Sequence, residues 1–529
     1  MKKSLFVWAV ALMALAACSN NDELLNNENP DGKVTVTATL PSGAPDSRVA
    51  LTEDNTNATA PAIKVAWETA ESFSVIRGSE NKTYSKNEEG STFTGDAHTV
   101  TEGTYYAFYP TTEATATNAI PYDLSQQTGT LDEAKTYMYA KNATDGKNYE
   151  FNHLTALVKF TLTLPDEASG VTPSKVVISS DELLAKSTVD LTGDEVVYST
   201  EANTATSITV TPASLTFYAY VNPMTASGED KNKFVILMDG NDGNYYSGTL
   251  ETSVSINANY LYAATVSMIK VEKGDYAMAD GSFIKYKADV TLTTEQKANV
   301  RGIVFWTTSE TTTEGRTTPA SLTDDEVMAE DFPGCNHGLI VSLKNVSEAT
   351  MWQEQTEDIA DWQTNTFEAE NKDKYKSIAS LKGDTDPIRY ILGYQNTKLL
   401  KAYNAQCEED CKVLPVSLLA SFETAHSAPA NTTGWFIPSV KELWMLGYKD
   451  VDSYTSSYSS DDTQVVVEAS LEKVDGDILI GEDYWSSLED EYSSGSMVYF
   501  VEIYGVSLGS GLKRYPDNIK NYVRAVCAF

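Results

Sequence analysis

The residues of this chain that could do chemistry are few and scattered. Cys335, Cys407, Cys411 and Cys527 are four thiols in its C-terminal part. In an oxidising compartment four thiols can pair in three ways. Cys407 and Cys411 stand close, in "CEEDC", but no second cysteine pair and no paired histidines complete a tetrahedral zinc site. Disulfides or free thiols are therefore expected, and a metal is not. His98, His153, His337 and His426 fall in no HExxH or Glu-xx-His pattern. "GVSLG" (Gly505 to Gly509) matches a nucleophile elbow, but "GSGLKRYPD" after it is not helical and no histidine follows Ser507. "DGNDG" (Asp239 to Gly243) lacks the ligand spacing and closing glutamate of a calcium loop and reads as a turn. Glu489, Asp490 and Glu491 in "YWSSLEDEYSS" could hold calcium, yet in so acidic a chain a solvated loop is expected. Trp435 and Trp485 could stack on sugar rings, but tryptophans in such patterns are expected to pack in a core. No acid, base and nucleophile converge. The expectation is a protein that is not an enzyme and holds no cofactor.

The elements that would position these residues change along the chain. Its 529 residues suggest about three domains. A net charge of −36 and no Lys/Arg cluster exclude a nucleic-acid face and disfavour anionic lipid surfaces. From Lys33 to about residue 270 the pattern is strand-like. "KVTVTATL" (Lys33 to Leu40) alternates strictly, and "SFSVIRG", "TYYAFYP" and "FNHLTALVKFTLTLP" follow between turn residues. "FVILMDGNDGNYYSGTL" reads as a hairpin. Short strands at regular spacing predict two antiparallel β-sandwiches, residues 33–150 and 151–270. Residues 271–529 carry six of the eight tryptophans and mix helical and strand signals, which predicts an α+β domain. "NKDKYKSIASL" and "TKLLKAYNAQC" read as helices. Ser439-Val440-Lys441-Glu442 forms a capping box, so "PSVKELWMLGY" starts a helix behind Pro438 with Leu443 and Leu446 on its buried face.

The first 18 residues read as a leader. Lys2 and Lys3 precede an apolar run from Leu5 to Ala17, too short to span a hydrocarbon core of roughly 30 Å comfortably. Leu15-Ala16-Ala17-Cys18 resembles the bacterial lipobox, which implies that the Cys18 sulfur takes a diacylglycerol and that the chain is cut before it. Asp22 and Glu23 resemble the acidic signal that sends some lipoproteins to the cell surface. Residues 19–32 are polar and read as a flexible tether.

With the lipobox, two strand-rich halves, "FNHLTALVKFTLTL" opening the second and "NANYLYAATVSM" ending it, the first 270 residues resemble the Mfa-like fimbrillins, lipoprotein-derived pilus subunits. The resemblance implies transthyretin-like sandwiches, and a precursor exported as a lipoprotein to the outer membrane and cell surface of a gram-negative cell, then built into a fimbrium. It implies an arginine-specific protease that cuts early in the first domain, and a neighbouring fimbrillin that adds a β-strand to the groove the cut opens. The first arginine after Cys18 is Arg48, in "GAPDSRVALTED", so the cut is expected between Arg48 and Val49. Residues 271–529 resemble a C-type-lectin-like module related to formylglycine-generating-enzyme-like domains, on "GDYAMADGSF", "CNHGLIVSLKN", "GWFIPSVKEL", "YWSSLED" and "YVRAVCAF". The Glu-Pro-Asn, Gln-Pro-Asp and Trp-Asn-Asp sugar motifs of that wider fold are missing here. In a pilus the C-terminal segment donates the strand, whereas here "RAVCAF" reads as part of a folded module. The expectation is therefore an adhesive subunit at the pilus tip, presenting the module to a glycan or protein ligand. Two other readings stand beside it: a permanently anchored surface lipoprotein with a ligand-binding module, and an enzyme on the formylglycine-like scaffold.

Overall fold

Alternating Val34, Val36 and Ala38 against Lys33, Thr35, Thr37 and Thr39 gives the first strand, Lys33–Thr39, one apolar and one polar face. The structure, a computed structural model of the chain, describes residues 32–40, 52–54, 62–64, 67, 70–88, 90–131, 136–226, 231–309, 321–380, 387–447, 463–479, 481–491, 495–503, 507–513 and 521–529. The first strand joins an eight-stranded sheet whose other members lie between residues 72 and 153. Its core is aromatic: Phe73, Tyr84, Phe93, Tyr149 and Phe151 pack with Val36, Ala38 and Val75.

The second half of the strand-rich region is held by three further sheets, of three, six and three strands. The predicted hairpin is present: Asn232–Gly240 pairs antiparallel with Tyr245–Thr252, and Gly243 takes a positive φ of 77° in the turn. Not every pairing is antiparallel. Lys33–Thr39 runs parallel to Asn148–Glu150, Ala156–Thr163 to Leu261–Ser267, and Ser207–Val210 to Gln126–Gln127. An alternating pattern fixes which face a residue takes, but not the direction of its neighbour. The segment from Ile120 to Gln127 crosses between the halves. Ile120–Asp123 pairs with Lys186–Asp190, and Ile120, Tyr122 and Leu124 sit in the same core as Phe160, Ile178 and Ile236.

Beyond residue 275 a further sheet, running from Phe283–Ile284 at one edge to Ser507–Leu512 at the other, is flanked by helices. Among the described residues every α-helix lies here, beginning with Thr294–Asn299. "TKLLKAYNAQC" lies in a helix, Gly393–Asn404, as expected. "NKDKYKSIASL" does not form one: only Lys372–Lys374 makes a 3₁₀ turn. Beyond it the chain is extended because its amides are claimed from outside. Lys376 N–H donates to Gln395 Oε1 at 3.1 Å, Ile378 N–H to Gln363 Oε1 at 2.9 Å, and Ala379–Ser380 pairs with the strand Asp483–Asp490.

This C-terminal half is not a separate bead. One face of the six-stranded sheet covers the second core. From its other face Val177, Val235, Leu237, Tyr245 and Ile269 pack with Phe283 and Phe529. His337 sits in this seam, with Nε2 at 2.9 Å from Asp239 Oδ1 and its ring stacked on Tyr245 at a centroid distance of 4.0 Å. Lys233 pairs with Asp280 at 2.6 Å nearby.

The predicted capping box also forms. Glu442 N–H donates to Ser439 Oγ at 3.4 Å, and Ser439 N–H donates to Glu442 Oε2 at 2.5 Å. The helix it opens, Val440–Gly447, is buried on every side rather than on one face. The cap is therefore a carboxyl group in the interior, and burial pushes Glu442 up to about 8. Asp325, which accepts from Met328 N–H at 2.8 Å and Gln395 N–H at 2.8 Å, is also pushed up by burial, to about 6. The native state thus keeps protons that the unfolded chain releases at an ordinary carboxyl pKa. Stability is full below that value and falls as pH rises through the folded values. We expect the unfolding free energy measured in denaturant to drop between pH 5 and pH 8, by on the order of 3 kcal/mol for the Glu442 contribution. Glu442→Gln, which keeps the acceptor for Ser439, flattens that pH dependence.

Candidate functional site

The first strand fills a slot with a distinct geometry. On one side it pairs antiparallel with Thr92–Asp96, placing Val36 opposite Phe93. On the other it pairs parallel with Asn148–Glu150, placing Ala38 opposite Tyr149. Thr37 N–H donates to Lys147 O at 2.8 Å, Ala38 N–H to Ser91 O at 2.9 Å, and Phe151 N–H to Thr39 O at 3.0 Å. Trp67 closes over the slot: its Nε1 donates to Ala38 O at 2.9 Å, and its ring meets Phe93 and Phe151 edge-on at 5.0 and 5.6 Å. Val36 and Ala38 are fully buried.

An empty slot would expose this aromatic floor and leave two strand edges without hydrogen-bond partners, which is costly in water. Burying a valine side chain such as Val36 is by itself worth about 1.5–3 kcal/mol. The Lys33–Thr39 strand meets these demands with small or branched apolar residues at alternate positions. None of these lining residues stands out in the sequence by chemistry; Phe73, Phe93 and Tyr149 carry only the period-two signal of an inward face.

The residues singled out in the sequence fall elsewhere. Cys18, Arg48 and Val49 lie outside the described residues. Trp435 and Trp485 are core residues. Trp435 Nε1 donates to His426 O at 2.7 Å and its ring lies against Phe422. Trp485 Nε1 donates to Thr350 O at 2.8 Å between Trp352 and Phe500. Neither shows a free ring face to solvent.

Glu489 and Asp490 correct the expectation of a solvated acidic loop. They end the strand Asp483–Asp490 and are 1% and 7% exposed. Glu489 forms a buried ion pair with Lys513 and accepts from Ile359 N–H at 3.2 Å and Ala360 N–H at 2.9 Å. Lys513 also donates to Glu357 O at 2.5 Å. Their partners are protein groups far off in sequence, which is why composition alone misplaced them. No cluster of three or more His, Cys, Asp or Glu suited to a metal occurs among the described residues.

The cysteines likewise depart from the disulfide alternative: Cys335, Cys407, Cys411 and Cys527 are all free thiols. Cys335 Sγ donates to Asn431 O at 3.6 Å, and burial pushes its thiol up to about 12. Burial raises Cys527 as well. Such thiols are held neutral and are poor nucleophiles.

The final strand, Asn521–Ala528, lies inside its sheet between Gly338–Thr350 and Asp483–Asp490. Val526, Cys527, Ala528 and Phe529 are buried. His337 N–H donates to Phe529 O at 2.8 Å, and Phe529 N–H to Gly338 O at 3.1 Å.

Comparison with known proteins finds fimbrial relatives for part of the chain. A protein of Bacteroides ovatus, provisionally named a fimbrium tip subunit, is 27% identical over 253 residues, which make up 46% of this chain and 43% of that one. The match thus spans less than half the length of that relative. A crystal structure of a fimbrial protein from Bacteroides ovatus aligns with 93% of this chain and 99% of its own at 18% identity, with a TM-score of 0.41. The C-terminally truncated tip fimbrial protein Mfa3 of Porphyromonas gingivalis aligns with 37% of this chain and 89% of its own at 9% identity, with a TM-score of 0.21. The profile of the family described as Fimbrillin-like matches residues 47–280, less than half of the chain.

Proposed function

We propose that this chain is an adhesive subunit of a cell-surface fimbrium, placed at or near the tip. In this reading it is made as a lipoprotein modified at Cys18 and held at the outer membrane. An arginine-specific protease then cuts between Arg48 and Val49, the Lys33–Thr39 strand leaves, and a strand from a neighbouring fimbrillin takes its place. The observation that carries the reading is the slot itself. One amphipathic strand near the start of the chain is sandwiched between two others, and the segment that follows it contains the first arginine after Cys18. The relative named as a tip subunit supports the fimbrial assignment. The tip position is supported by the name of that relative, and the Asn521–Ala528 strand, locked in the middle of a sheet, is not itself free for donation. The burial of Glu489, Asp490, Cys335, Cys411 and Cys527 supports a role without catalysis by these groups.

Limited digestion with trypsin tests the reading. A single early cut after Arg48 and a stable remaining core are expected, with the cut lost in Arg48→Gln. The cut protein, and not the intact one, then binds a labelled peptide of the Lys33–Leu40 sequence. Absence of both the cut and the peptide capture would overturn strand replacement. Val36→Asp in the intact chain puts a charge against Phe93 and should lower the stability of the first sheet by roughly 3–5 kcal/mol, read as earlier unfolding in denaturant. The same change in the peptide should abolish its capture.

A further inference from the structure

The tryptophans that sequence offered for sugar stacking are in the core, but a concave site of another composition lies at the junction of the two strand-rich halves. It is a cleft of about 290 Å³ at the small sheet where Ile120–Asp123 pairs with Lys186–Asp190. Its walls include Pro121, Asp123, Tyr137, Lys186, Thr188 and Thr204. The register explains the grouping. Lys186 stands opposite Asp123 and Thr188 opposite Pro121, so these four share one face, and the buried Tyr122 and Ser187 between them also line the cleft. The turn carrying Thr204 is tied back by its N–H to Lys186 O at 2.9 Å and forms the far wall.

The groups in this cleft are held before any ligand arrives. The Tyr137 hydroxyl accepts from Asp123 N–H at 3.0 Å and donates to Asp123 O at 3.1 Å, and its ring packs on Tyr122 and Phe108. Asp123 Oδ1 accepts from Ser125 N–H at 2.9 Å and Ser125 Oγ at 2.5 Å, which fixes the carboxylate, and Oδ2 faces Lys186 Nζ at 3.3 Å. The side chains of Asp123 and Lys186 remain 36% and 56% exposed, so both keep polar capacity toward solvent. Pro121 adds apolar surface and brings no N–H that needs a partner.

The ligand chemistry follows from this set. Asp123 offsets the Lys186 charge, and the chain as a whole is strongly acidic, so an anion gains little. A fixed ion pair bridges adjacent hydroxyls well, since the carboxylate accepts and the ammonium donates. Tyr137 and Pro121 offer an apolar flank for a face of C–H groups, and the two threonine hydroxyls complete a polar rim. The volume, at the low end for ligand sites, suits one ring rather than an extended chain. The geometry points to a binding site for a single neutral monosaccharide unit, formed by Asp123, Lys186, Thr188 and Thr204 around Tyr137. This inference rests on the adhesive reading and gives that reading a ligand class and a place.

Saturation-transfer NMR on the purified full chain tests it, with the methyl glycosides of glucose, galactose, mannose, fucose and N-acetylglucosamine as probes. At least one should receive saturation, strongest at its ring C–H protons. The signal should fall several-fold in Lys186→Met, and be lost in Thr188→Phe, which fills the cleft. Both positions are solvent-facing on a strand, and an unchanged melting curve shows that the variants fold. No transfer to any glycoside overturns the site, and so does a signal that survives in Lys186→Met. Binding of the full chain to an immobilised glycan or matrix-protein array, undiminished in both variants, would leave the adhesive reading standing while removing this site. Silence on the array as well would remove both.

Discussion

The constraint on which the strand-rich half depends is that an apolar slot between two strand edges must be filled. Phe73, Phe93, Tyr149 and Phe151 converge on the place taken by Val36 and Ala38. The flanking backbone groups on both sides are satisfied through the Lys33–Thr39 strand. Nothing in that strand's own chemistry is special. Its lysine and threonines face outward and its valines and alanine inward, so its side-chain size is matched to the aromatic floor while its backbone completes the ladder.

Much of this was legible in the sequence because period-two patterning is a local signal. The first strand, the hairpin around Gly243, the capping box at Ser439 and Glu442, and the final strand all follow from residues adjacent in the chain. What failed were the features decided by distant partners. The stretch after Lys374 has helical spacing, yet its amides are taken by Gln395 and Gln363 and it is drawn out as a strand. Glu489 looks like a surface acid and is instead neutralised by Lys513, with two helix N–H groups completing its shell. The parallel pairings and the crossing of Ile120–Gln127 into the second half are equally invisible to local pattern. The slot was legible as a strand but not as a slot, since its floor is assembled from residues spread between Trp67 and Phe151.

The C-terminal half invests in buried polar groups more than the strand-rich half does. Glu442, Asp325, Glu489, Lys513 and Arg524 are all in its interior, each bonded to backbone. Arg524 donates to Leu343 O at 3.1 Å, Asp477 O at 3.2 Å and Asn345 Oδ1 at 2.9 Å, fastening the last strand to its surroundings. Burying such groups gains little stability over well-packed apolar ones, but removing one partner is expensive. They dictate a single arrangement of loops around the sheet while leaving the solvent-facing positions unconstrained.

The six-stranded sheet is covered on both faces, by the second core on one side and by Phe283, His337 and Phe529 on the other. A tug applied to the C-terminal half therefore meets no swivel on the way. It enters the sheet broadside, through packed rings, the His337–Asp239 contact and the Lys233–Asp280 ion pair. The seam thus joins the two parts through a broad packed face of the sheet rather than through a single connecting strand.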